Sequence, residues 1–66
     1  MYRVYIIQSS KDQRYYIGYT SNLEQRLEDH NRGKTNSLRS RRPFKLVYSE
    51  KYRTKSEAIQ REKQIK

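Results

Sequence analysis

The 66-residue sequence predicts an α+β fold: a small antiparallel three-stranded sheet flanked by helices, in the order β-β-α-β-α. Three observations lead there. Two segments rich in β-branched and aromatic residues, 3–7 and 15–19, are separated by a short polar run. Two Ser/Thr-x-x-Glu patterns, Ser21 with Glu24 and Thr54 with Glu57, each open a helix-like stretch. Between those helices a third apolar segment, 44–48, follows Pro43.

The elements follow in order. In the first strand Tyr2, Val4 and Ile6 alternate with Arg3, Tyr5 and Ile7, and bulk on both faces predicts a central position in the sheet. Residues 9–14 are polar, with the turn formers Ser10 and Asp12, and should reverse the chain into an antiparallel partner over 15–20. Gly18 within that partner marks a bulge or a close backbone approach, with open space beside it. The first helix is expected over 22–31, with Gly33 as its C-terminal stop. At about 100° per residue, Leu23 and Leu27 form its apolar stripe, and Arg26 and His30 lie along one edge. Residues 34–42 form a loop in which Lys34, Arg39, Arg41 and Arg42 are basic and nothing apolar recurs periodically. The third strand spans 44–48, and the last helix runs from Thr54 to the chain end. On it Ala58 and Ile65 share a face flanked by Ile59, with Glu62 between them.

A carboxylate on an apolar stripe is costly unless a cation or hydrogen-bond donors satisfy it. For Glu62 two explanations stand side by side: a salt bridge to Arg26 or a lysine, or a metal ligand.

Composition narrows the function. A chain of 66 residues makes a single domain, residues 1–66, with a small core. Sixteen Lys and Arg against seven Asp and Glu give a net charge of +9, which favours an anionic partner, nucleic acid first. No apolar run approaches the roughly 20 residues needed to span a bilayer. No secretory signal is visible, and the absence of cysteine excludes disulfides and thiolate metal sites. A cytoplasmic location is expected.

Tyr5 and Tyr16 in a hairpin, Arg26 and His30 on a helix, and Glu62 on a later helix together resemble the GIY-YIG nuclease domain family. The likeness covers essentially the whole chain. It is nearest to small free-standing bacterial members, which resemble the N-terminal domain of an excision nuclease and share Gly33-Lys34, Arg42-Pro43, Leu46-Val47-Tyr48 and Arg61-Glu62-Lys63. Tyr16-Ile17-Gly18 matches the second family triplet fully. The first falls on Arg3-Val4-Tyr5, with arginine in place of glycine and valine in place of isoleucine. Such relatives usually continue beyond the equivalent of Lys66, so a missing C-terminal tail is expected.

The resemblance implies metal-dependent hydrolysis of phosphodiester bonds in DNA, in repair or recombination. It makes Tyr5 the general base toward water, Tyr16 a residue that orients water or phosphate, and Arg26 the cation on the attacked phosphate. His30 would assist proton handling, and Glu62 would hold a single divalent metal, Mg²⁺ or Mn²⁺. The chemistry is consistent with these roles. Hydrolysis concentrates negative charge on nonbridging and leaving oxygens, and one carboxylate with water and phosphate oxygens suits one hard cation. Tyrosine is an awkward base at its ordinary pKa of about 10, although a cationic pocket would favour the phenolate. His30 is a rival base.

Each residue also has a plainer reading. Tyr5 and Tyr16 are packing residues, Arg26 is solvated, and His30 answers the helix dipole. Tyr19 is read as core. Lys34, Arg39, Arg41 and Arg42 form either a solvated loop or a track along a phosphate backbone. The alternatives at the level of the whole chain are a non-catalytic nucleic-acid binding module on the same scaffold and a small structural protein. DNA is the expected partner and RNA stays open; with no recognition helix or second domain visible, specificity is left to DNA shape, to the missing tail or to a protein partner.

Overall fold

The fold is described by a computed structural model for residues 1–33 and 40–66. Its elements are β1 (Tyr2–Ser9), β2 (Tyr15–Thr20), α1 (Leu23–Arg32), β3 (Phe44–Tyr52) and α2 (Lys55–Ile65), in the predicted β-β-α-β-α order. They form one antiparallel three-stranded sheet ordered β2-β1-β3, so the strand with bulk on both faces is central. Val4, Tyr5 and Ile7 of β1 are buried, with Phe44 and Ala58. Tyr16, Leu23 and Leu27 pack against the cluster of Tyr5, Ile7 and Phe44.

The β1–β2 reversal is organised by Ser9, which is fully buried. Its hydroxyl accepts from the backbone N–H of Lys11 at 3.1 Å and of Asp12 at 3.3 Å, and donates to the Arg41 carbonyl at 2.6 Å. Gln13 takes a positive φ of 63° to close the turn. The helix termini follow ordinary capping chemistry with one change. Asn22, not Ser21, caps α1: its side chain accepts from the Gln25 N–H at 3.2 Å. The displacement arises because the Thr20 hydroxyl accepts from the Asn22 N–H at 3.1 Å, which carries the extended chain one residue further. Gly33 ends the helix in the left-handed region, φ 80°, as its position required. Thr54 caps α2 by accepting from the Glu57 N–H at 3.3 Å, and its hydroxyl lies 3.1 Å from the Glu57 carboxylate.

β3 runs to Tyr52, four residues past the expected end. Its second half, Ser49-Glu50-Lys51, lacks apolar residues but finds a pairing partner in the start of β1, where Tyr2 stands opposite Tyr52. A register shift between Ile6 and Ile7 separates the two halves of that ladder. Glu50 is held in place by Arg61 Nε at 2.8 Å, the Tyr52 hydroxyl at 2.8 Å and the Tyr48 hydroxyl at 2.5 Å.

These donors, Arg61 first, lower the Glu50 pKa from 4.5 to about 2. A carboxylate with a depressed folded-state pKa stabilises the fold above its unfolded value and loses that stabilisation as pH falls through the folded one. Between pH 4.5 and 2 the wild-type denaturation midpoint is therefore expected to fall more steeply than that of Glu50→Gln. Parallel curves for the two proteins would show that the cluster contributes nothing.

Candidate active site

The antiparallel register places Tyr5 opposite Gly18. A Cβ at Gly18 would lie 2.7 Å from the Tyr5 hydroxyl and 3.0 Å from its Cζ, so the glycine makes room for the phenol. The space expected beside Gly18 is thus filled by Tyr5. α1 brings His30 to the same place. Asn31, its neighbour, accepts from the Phe44 N–H at 2.6 Å and donates to the Phe44 carbonyl at 3.2 Å, pinning the end of the helix to β3. His30 is consequently buried, 2% exposed, with its ring 6.2 Å from Phe44 and edge-on to Tyr16 at 5.3 Å. Its Nε2 is 3.0 Å from the Tyr5 hydroxyl.

All five predicted residues, Tyr5, Tyr16, Arg26, His30 and Glu62, line one cleft of about 510 Å³. Arg26 lies one helical turn before His30, exposed and, among the described residues, without a carboxylate partner. Among the described residues Glu62 is the only carboxylate lining the cleft. Its side chain is 16% exposed and pairs with Lys66 Nζ at 2.6 Å, so the salt bridge is made to a lysine one turn on and not to Arg26.

The electrostatics correct one expectation. The cleft does not favour a Tyr5 phenolate: burial, followed by the nearby Tyr16, raises the phenol's pKa well above the ordinary tyrosine range, with Arg26 opposing and Glu62 adding to the rise. Burial also lowers the pKa of His30 below 6.5, Arg26 adding to the effect and Asp29 opposing it. Both shifts favour the neutral forms, the phenol for Tyr5 and the imidazole for His30.

Among the described residues no group of three or more His, Cys, Asp or Glu is placed to hold a metal by itself. A lone half-buried carboxylate in an open cleft fits a hard cation that keeps most of its waters and binds phosphate oxygens, and does not fit an all-protein metal cage.

Of the four expected loop contacts, Lys34 and Arg39 lie outside the described residues. Arg41 pairs through Nε with Asp12 at 2.9 Å and braces the β1–β2 turn, while Arg42 is exposed. Neither lines the cleft. Tyr19, read as core, is only half-buried and does line it, as do Tyr2, Thr20, Ser21 and Lys55. The sequence signal for Lys55 was its spacing of seven residues from Glu62, which puts the two on one helix face.

Comparison with known proteins came to the same family. The model of the GIY-YIG catalytic domain matches residues 1–66. A UPF0213 protein of Staphylococcus haemolyticus is 48% identical over 64 residues, covering 96% of this chain and 77% of that protein. A UPF0213 protein of Staphylococcus aureus matches with the same identity and coverage. The solution NMR structure of the UPF0213 protein BH0048 from Bacillus halodurans aligns with a TM-score of 0.56 at 36% identity, over 98% of this chain and 70% of that one. No helix among the described residues is long and apolar enough to cross a membrane.

Proposed function

The chain belongs to the GIY-YIG catalytic domain family, a nuclease-type fold, and from that premise we propose that it is a metal-dependent endonuclease hydrolysing phosphodiester bonds in DNA, with a role in repair or recombination. The observation that carries this reading is the convergence of Tyr5, Tyr16, Arg26, His30 and Glu62, drawn from β1, β2, α1 and α2, on one cleft.

The proton path runs through the 3.0 Å contact between Tyr5 and His30. Water attacking the phosphorus gives its proton to the Tyr5 oxygen as Tyr5 passes its own to His30 Nε2, while the bond from phosphorus to the leaving 3′ oxygen breaks and that oxygen takes a proton from solvent. Coupling the two transfers avoids a free phenolate, whose formation burial opposes. Arg26, with no carboxylate to neutralise it among the described residues, meets the nonbridging oxygens, where charge accumulates. Tyr16, edge-on to His30, orients the imidazole and borders the position of the phosphate. Glu62 would hold one Mg²⁺ or Mn²⁺, exchanging Lys66 for it. Bound there, the ion would supply a second cation to the nonbridging and leaving oxygens.

The test is a cleavage panel of single-stranded, duplex, flapped and branched DNA, with RNA counterparts, in Mg²⁺ and in Mn²⁺, comparing wild type with Glu62→Ala. Metal-dependent cleavage confined to the wild type is expected. Salt-sensitive binding without turnover on any substrate would make the chain a binding module instead.

The proton path also has a pH signature. Protonated His30 cannot accept, so kcat/KM should fall as pH drops through the His30 pKa of the free protein, which lies below 6.5. An acid limb at or above 6.5 would remove His30 from the path.

A further inference from the structure

The cleft extends beyond the five residues assigned to the reaction. Two backbone spacings along the elements that line the cleft are nearly equal. Along β1, Tyr2 precedes Tyr5 by three residues, about 10 Å at 3.3 Å per residue. Along α2, Lys55 precedes Glu62 by seven residues, two turns on one face and about 10.5 Å at 1.5 Å per residue. The chain itself joins these two points: Tyr52 pairs with Tyr2 at the end of the sheet, and α2 starts three residues later at Lys55. Tyr19 pairs with Val4, which lies between Tyr2 and Tyr5 along β1, and lines the cleft between the two points.

Its chemistry is that of a nucleotide site. Among the described residues Arg32, Arg41, Arg61 and Lys66 are taken up by carboxylates, whereas the two cations lining the cleft, Arg26 and Lys55, have no such partner. Two unpaired cations from different helices lining one cleft, Lys55 standing about two turns before Glu62 along α2, fit neighbouring anions on a polymer better than a single small anion. The rise of about 10.5 Å along α2 from Lys55 to Glu62 exceeds the size of one phosphate group, so the phosphate at Lys55 differs from the one under attack but lies close to it. Tyr2 and Tyr19 are half-buried, and each offers ring surface to a sugar or base.

We propose that this end is a second phosphate station, in which Lys55 holds a non-scissile phosphate of the cut strand and Tyr2 and Tyr19 flank the nucleotide that carries it. The inference rests on the nuclease reading for the word "cut", and its test does not depend on cleavage.

Binding of a single-stranded oligonucleotide to the full chain is measured in EDTA as a function of salt, for wild type, Lys55→Ala and Lys55→Arg. Loss of one phosphate contact should lower the slope of log K against log salt by about 0.7 in Lys55→Ala. Lys55→Arg should restore it, which separates loss of charge from loss of fold. A scan placing one uncharged methylphosphonate at a time should find a single non-scissile position where the wild type weakens and Lys55→Ala does not. Tyr19→Ala should weaken binding roughly fivefold or more through lost stacking. An unchanged slope and an unchanged scan in Lys55→Ala overturn the station, even if Mn²⁺-dependent cleavage is found. Conversely, a Lys55-dependent position in a protein that never cleaves keeps the station and removes the nuclease reading. Absence of any oligonucleotide binding removes both.

Discussion

Glu62→Gln is expected to reduce metal-dependent cleavage by about 10²–10³-fold or more, the cost typical of losing one preorganised stabiliser of transition-state charge. The substitution keeps size and hydrogen-bonding capacity but removes the only carboxylate that, among the described residues, lines the cleft. Its other consequences should be small. The bond to Lys66 is an i,i+4 pair with the lysine more than half exposed, and such pairs contribute only about 0.2–0.5 kcal/mol. The melting temperature should therefore hardly move. Binding of DNA in EDTA should be preserved or slightly strengthened, because a negative charge next to the phosphate has been removed and Lys66 released. Loss of cleavage with retained fold and retained binding separates a metal ligand from a structural salt bridge, the two explanations that Glu62 admits on sequence. Direct titration with Mn²⁺, followed by its paramagnetic resonance signal, adds a readout independent of turnover: the wild type should bind one ion and the variant none. Equal cleavage by both proteins would assign Glu62 to the Lys66 bridge alone.

The legibility of this molecule in its sequence varies with how local the controlling interaction is. β2 was readable to the residue because its run of aromatic and β-branched residues is bounded by the polar segments 9–14 and 21–22. The α1 cap was displaced by one position because Thr20, outside the helix, captures the Asn22 amide. β3 looked shorter than it is, since Ser49-Glu50-Lys51 carries no apolar pattern and owes its strand conformation to pairing with β1 and to the donors around Glu50. The five residues that meet in the cleft were identified through a resemblance, and the geometry brings them together from four elements. What the sequence did not reveal is how they are tuned. A cationic pocket would favour the phenolate, but burial of Tyr5 outweighs the nearby Arg26. The reach of the cleft to Lys55 likewise depends on β3 ending where β1 begins, a fact of register and not of composition.

The second large effect concerns that tuning. Tyr5→Phe is expected to lower cleavage by about 10²–10⁴-fold, the range for removing a positioned acid–base group, while metal binding persists. It also leaves His30 Nε2 buried without its hydroxyl partner, which costs about 1–3 kcal/mol. Gly18→Ala should reproduce much of this without touching a reactive group. The added methyl carbon would meet the Tyr5 hydroxyl at 2.7 Å, Cζ at 3.0 Å and a Tyr16 ring carbon at 3.3 Å. None of these is the free end of a flexible chain, for Tyr5 is held between His30 and Gly18 in the core. The phenol must shift, breaking its contact with His30, at an overpacking cost of about 1–3 kcal/mol. The two substitutions should not add. In the Tyr5→Phe background the nearest clashing atom is gone, so Gly18→Ala should cost less stability there than in the wild type, and should reduce the residual activity little further. A double-mutant cycle on chemical denaturation and on single-turnover cleavage measures both couplings. Strict additivity in both would mean that Gly18 is required for the strand alone, and that the position of the Tyr5 hydroxyl does not govern the reaction.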